Sequence, residues 1–119
     1  DSWQQMAAMP TARDSHAAAV VDGKIYVTGG YSEFGDASGG CSDALESYDP
    51  VTNTWTTLAS LDYFRAWHAS AAIKGKLLVF GGSSDGRTAL VNVYSPASNS
   101  WGRAIDLPCA MDKCVALAL

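Results

Sequence analysis

The feature that most constrains this chain is a repeat whose landmarks recur at two nearly equal offsets. Gly29-Gly30 returns as Gly81-Gly82, Arg13 as Arg65 and His16 as His68, each 52 residues on. Trp3 and Trp55 are also 52 apart, whereas Trp55 to Trp101 and Tyr48 to Tyr94 are 46 apart. The shift is local: Gly30 to Tyr48 is 18 residues and Gly82 to Tyr94 is 12, so the six extra residues lie between Tyr31 and Ala44. A period of this length, carried by short apolar runs, marks a fold made of stacked copies of one supersecondary unit.

Each copy reads as four strands. Residues 16–21 form a short apolar run, Asp22-Gly23 is a two-residue hairpin signal, and residues 24–28 lead to the double glycine. A third strand over 45–48 stops at Asp49-Pro50, because proline has no N–H to continue a ladder. Residues 51–53 turn into a fourth strand over 54–57. The second copy matches with 68–73, Lys74-Gly75, 76–80, 91–94 and 99–101. No stretch sustains a 3.6-residue period, which predicts few helices. Leu107-Pro108 then echoes Met9-Pro10, with Met111 and Cys114 where the arginine and histidine would stand.

Hydrophobics before Gly-Gly, then Tyr-Asp-Pro, a Trp after a fixed gap and Arg-x-x-His in the next unit together resemble the kelch motif. The resemblance covers nearly the whole chain and implies an all-β fold: a partial kelch β-propeller, about two and a half blades of four-stranded antiparallel sheet. The expected division is residues 3–12 as outermost strand and connector of a preceding blade, 13–57 and 65–103 as two blades, and 113–119 as the first strand of a further one. Alanine-rich first strands suit the crowded axis of a propeller, and Gly29, Gly30, Gly81 and Gly82 let the second strands bend where blades meet. Tyr48, Trp55, Tyr94 and Trp101 would fill the wider spaces between sheets. Arg13 and Arg65 are expected to bond backbone carbonyls between blades, and His16 and His68 to be structural.

Charge and cysteines narrow the functional classes. The net charge is −4, from 8 basic and 12 acidic residues, with no basic stripe of the kind phosphate neutralisation needs, so no nucleic-acid partner is expected. No apolar run reaches the roughly 18 residues of a membrane span. Three cysteines (Cys41, Cys109 and Cys114) without paired spacing fit a reducing, cytoplasmic setting rather than a disulfide framework or a metal site. The opening Asp1-Ser2-Trp3 reads as mid-domain, with neighbouring blades of a parent chain, or self-association, expected at the open ends.

If the strands meander, the short turns share one end of the blades and the long, divergent loops share the other. Binding surfaces favour variable loops on a rigid scaffold. In kelch proteins that act as substrate receptors, contacts follow the double glycine and the repeat arginine. That resemblance points to Tyr31, Glu33, Ser83 and Asp85, and to Asp14, Ser15 and Trp67 (with Ala66 beside it). Tyr31 and Trp67 offer rigid aromatic anchors. Asp14, Glu33, Asp36 and Asp85 make this end acidic, which implies a protein or peptide ligand that is basic or hydroxyl-rich.

The wording of the motifs is most similar to BTB-kelch proteins, which implies the substrate-recognition part of a ubiquitin-ligase adaptor. Actin-binding and other kelch scaffolds, F-box kelch proteins among them, are the alternative. In another class, the fold carries oxidases and sugar epimerases. Only two histidines exist here, both repeat residues, and no nucleophile–base pair or phosphate loop appears. The expectation is therefore a binding module rather than an enzyme, with no cofactor and no metal.

Overall fold

The computed structural model describes residues 1–32 and 40–117. Its strands are β1 (Ala17–Val21), β2 (Lys24–Thr28), β3 (Leu45–Asp49), β4 (Thr54–Thr57), β5 (Ala69–Ile73), β6 (Lys76–Phe80), β7 (Ser83–Ser84), β8 (Gly86–Arg87), β9 (Val91–Ser95) and β10 (Ser100–Arg103). Two four-stranded antiparallel sheets result, in the orders β1-β2-β3-β4 and β10-β9-β6-β5, with β7-β8 as a separate small hairpin. No helix occurs among the described residues.

Local chemistry sets each meander. Both β1–β2 and β5–β6 turns hold positive φ at their two central residues, 47° and 78° at Asp22 and Gly23, 49° and 73° at Lys74 and Gly75. That is the turn whose twist matches the flanking strands. The β3–β4 and β9–β10 turns end on Asn53 and Asn99, at φ 52° and 46°, a region that asparagine tolerates better than other non-glycine residues. The register places Tyr48 opposite Trp55 and Tyr94 opposite Trp101, with ring centroids 5.1 Å apart in both pairs.

The core lies between the sheets rather than within either. Val21, Tyr26 and Leu45 from the first sheet meet Leu77, Val79 and Tyr94 from the second, with Ala19, Leu58, Ala72 and Trp101 packed around them. Innermost strands β1 and β5 touch each other. Ala18, Ala19 and Val20 of β1 and Ser70, Ala71 and Ala72 of β5, with Ala116 and Leu117, border a hollow of about 230 Å³.

Backbone bonds continue the repeat beyond the ladders. Gly30 N–H donates to Arg65 O at 2.8 Å and Gly82 N–H to Met111 O at 2.8 Å, so each sheet is tied to the segment that opens the next unit. The two ends of the described chain carry no assigned strand, and Trp3, Ile105, Val115 and Leu117 are exposed.

Candidate functional site

The loop end is organised by two copies of an arginine staple. Arg13 Nη1 donates to Gly29 O at 2.7 Å and Ala44 O at 3.2 Å, while its Nη2 pairs with the buried Glu46 carboxylate. Arg65 repeats this on Gly81 O at 3.2 Å and Leu90 O at 3.4 Å, with its Nη2 on Asn92 Oδ1. Asn92 in turn donates to Asp62 Oδ1 at 3.0 Å. These bonds stay inside one blade, joining its second and third strands. This corrects the expectation that the arginine side chains bridge blades; Arg65's backbone crosses instead, its carbonyl accepting Gly30 N–H and its N–H donating to Ser42 O at 3.2 Å. Burial pulls both guanidinium pKa values down, and the Glu46 charge opposes this for Arg13.

The partners Glu46 and Asn92 were not foreseen. They occupy one repeat position, 46 apart, two residues before the repeat tyrosine. A polar residue at that place in a central strand was the available signal, since buried polar groups must be hydrogen-bonded.

His68 links the blades through its side chain. Its Nε2 lies 2.8 Å from Thr28 Oγ1, which lies 3.0 Å from Ser70 Oγ. Burial, then the positive charge of Arg65, push its pKa down to about 3, so the ring is neutral. His16, at the same repeat position, is exposed. In the third unit Cys114 takes this place, its Sγ 3.6 Å from Phe80 O, and Phe80 stands where Thr28 does. The three cysteines are free thiols, and among the described residues no group of His, Cys, Asp or Glu is arranged to hold a metal. No described helix is long and apolar enough to cross a membrane.

Beyond the staples a band of backbone bonds carries the proposed recognition residues. Asp14 and Tyr31 exchange both hydrogen bonds, at 2.9 and 2.8 Å, and Ala66 and Ser83 do the same at 2.9 Å each. Trp67 N–H donates to Ser15 O at 2.9 Å and Lys113 N–H to Trp67 O at 2.7 Å. Ser15, Trp67 and Lys113 share positive φ, at 53°, 55° and 52°. Three unlike residues in one conformation mean that the fold imposes it, not the side chain.

This arrangement brings Tyr31 and Trp67 together from different blades. Their rings stack with centroids 6.4 Å apart and planes 29° from parallel, Tyr31 half-buried and Trp67 exposed. Asp14 and Ser15 lie beside them on the backbone band. Ser83 opens the β7–β8 hairpin and Asp85 is its exposed tip, one blade further round. Glu33 and Asp36 lie outside the described residues. The described part of this end is mixed rather than uniformly acidic. Arg87 Nε pairs with Asp112 Oδ1 at 3.1 Å, and Lys113 stands next to Trp67. Lys113 was missed because a residue aligned by repeat with Ser15 and Trp67 is visible only once the third unit is in register.

Comparison with known proteins bears on the fold. The family profile described as the KLHDC2/KLHL20/DRC7 Kelch-repeats domain matches residues 1–112. An F-box/kelch-repeat protein of Arabidopsis thaliana is 39% identical over 82 residues, which are 69% of this chain and 21% of that protein. Kelch-like protein 21 of Mus musculus is 36% identical over 73 residues, 61% of this chain and 12% of its own length. The structure titled "Structure of YjhT" superposes with a TM-score of 0.73 at 28% identity, covering 92% of this chain and 32% of that one. The chain thus spans about a fifth or less of the curated relatives it matches. With the profile running through both sheets and the same motifs standing twice in register, one assignment follows: the chain belongs to the kelch-repeat family, as a partial β-propeller.

Proposed function

We propose that this chain is a protein-interaction module that captures its partner on the loop end, with Tyr31 and Trp67 as anchors and Asp14, Ser15, Glu33, Ser83 and Asp85 around them. The observation that carries the reading is the stacked pair itself, held at 6.4 Å by residues from two blades and left open to solvent on Trp67. Large rigid aromatics on a fixed backbone bury area at little entropic cost, which is what interface anchors require. Relatives named Kelch-like protein 21 and F-box/kelch-repeat protein support a place among kelch adaptors. Within that group we read the module as the substrate-recognition part of a BTB-kelch type ubiquitin-ligase adaptor in the cytoplasm.

Binding fits the described residues better than catalysis does. His68 is buried against Thr28, and burial with the nearby Arg65 charge holds its pKa far below neutral, which makes it a poor base toward a substrate.

The test is quantitative affinity purification from cells, using the natural gene product and its Tyr31→Ala/Trp67→Ala variant. The expected result is loss of specific partners from the variant, unchanged thermal unfolding, and cullin subunits recovered with both forms. An identical partner set would remove the recognition face. Absence of cullin subunits from both would remove the adaptor role.

A further inference from the structure

We infer that Tyr31, Trp67 and Asp14 form a seat for an arginine side chain of the partner, an inference that rests on the recognition face proposed above. The scaffold requires none of these three side chains. At the equivalent places of the neighbouring units stand Ser83 for Tyr31, Ala66 and Asp112 for Asp14, and Ser15 and Lys113 for Trp67; the Ala66–Ser83 pair and the Lys113–Trp67 bond repeat the backbone contacts, and Ser15 and Lys113 share the positive φ. The junction of the first two blades is therefore built with aromatic and acidic groups that its neighbour does without.

The geometry brings the three together. Asp14 and Tyr31 are directly opposite in a hydrogen-bonded antiparallel pair, a placement that sends both side chains to one face with Cβ atoms about 5 Å apart. Tyr31 stacks on Trp67, whose N–H is bonded to Ser15, the residue after Asp14. Asp14 is exposed, and among the described residues its carboxylate has no hydrogen-bond or ion-pair partner. A carboxylate next to a tyrosine that stacks on an exposed tryptophan is the chemistry of a cation seat, and a planar guanidinium both stacks on an indole and pairs with a carboxylate. Other charges give the seat a direction. Arg87 is engaged with Asp112 at 3.1 Å, and Lys113 follows Trp67 on the side away from Ser15. The arginine enters on the Asp14 side, and Lys113 repels it from the other.

The test titrates the whole chain with N-acetyl-Gly-Arg-Gly-amide and with the same peptide carrying citrulline, a neutral isostere, following the Trp67 indole N–H by NMR. Arginine should shift that signal saturably and bind about three- to thirtyfold more tightly than citrulline. Asp14→Asn, an exposed change that leaves the backbone pair intact, should remove about a threefold part of that preference. Equal shifts with both peptides, or a preference unchanged by Asp14→Asn, would overturn the seat. If the natural partner still requires Tyr31 and Trp67 in that case, the recognition face stands and only the cation seat falls. If capture survives loss of both aromatics, the face itself falls.

Discussion

Gly29 shows how one missing Cβ joins two blades. Its φ is +56°, and a Cβ there would stand 2.3 Å from Arg65 O and 2.7 Å from His68 Cε1. Gly29→Ala therefore combines backbone strain with a collision against a carbonyl that already accepts Gly30 N–H. The expected loss is about 3 kcal/mol or more in chemical denaturation. Gly23→Ala, at φ +78° with nothing within 4 Å, should cost only the strain, about 1 kcal/mol. Equal losses at the two sites would refute the packing argument. His68 gives a pH prediction. Its folded pKa of about 3 lies below the unfolded value near 6.5, so the unfolded chain binds the extra proton between those values. Stability is fully present above about pH 6.5 and is lost as pH falls toward 3. His68→Gln should flatten the stability slope across that window relative to the parent, while carboxylates elsewhere titrate alike in both. Identical slopes would mean that His68 is not the group responsible.

At the scale of the element, the repeat made the strands legible and left their side-chain partners hidden. Offsets and turn chemistry predict strands over 24–28 and 76–80, which are observed as β2 and β6 without change. β1 begins at Ala17 rather than 16, because His16 has no ladder partner. The β7–β8 hairpin lay in a segment read only as a loop. Two-residue strands held by backbone bonds leave no alternation to detect. Tyr31 and Trp67 were legible one at a time from the kelch resemblance. Their stacking was not, since residues 36 apart in sequence meet only through the backbone band between blades.

A second link was also invisible. Asn53 Oδ1 accepts Ala7 N–H at 2.8 Å, and Trp55 Nε1 donates to Ala7 O at 2.9 Å. Asn99 and Trp101 treat Ala59 identically, at 2.9 and 2.8 Å. Each outer strand so clamps the connector that enters its blade, while Tyr48 and Tyr94 hydroxyls hold the asparagines at 2.8 and 2.7 Å. Asn99→Ala removes both bonds and a residue suited to φ 46°, so it should cost about 1–2 kcal/mol. Asn99→Gly, which keeps the turn conformation, should recover part of this. Matching losses for both variants in denaturant titrations would place the whole effect in the hydrogen bonds.

For the molecule as a whole, the clamp predicts what a further blade must supply. Ala7 and Ala59 are followed, 46 residues after Ala59, by Ile105, whose side chain is 94% exposed. By the repeat, the N–H and carbonyl of Ile105 are the groups that an asparagine and a tryptophan of the next blade would take. Trp3 presents the converse at the other end: it is fully exposed, although Trp55 and Trp101 at its repeat positions are half-buried against tyrosines. Apolar surface left in this way is what a stacked repeat covers with its neighbour. Grafting a second copy of residues 65–103 in place of everything from 111 onward would put copies of Asn99 and Trp101 opposite Ile105. The expected outcome is a higher unfolding temperature and slower hydrogen exchange at the Ile105 amide, with the Ala59 amide as an internal reference. A graft carrying alanine and phenylalanine at those two positions should keep most of the thermal gain from burial but lose the protection of Ile105. If the intact graft raised the unfolding temperature and left that amide as exchangeable as before, the blades would be stacking without the clamp, and the equivalence of Ile105 with Ala59 would be wrong.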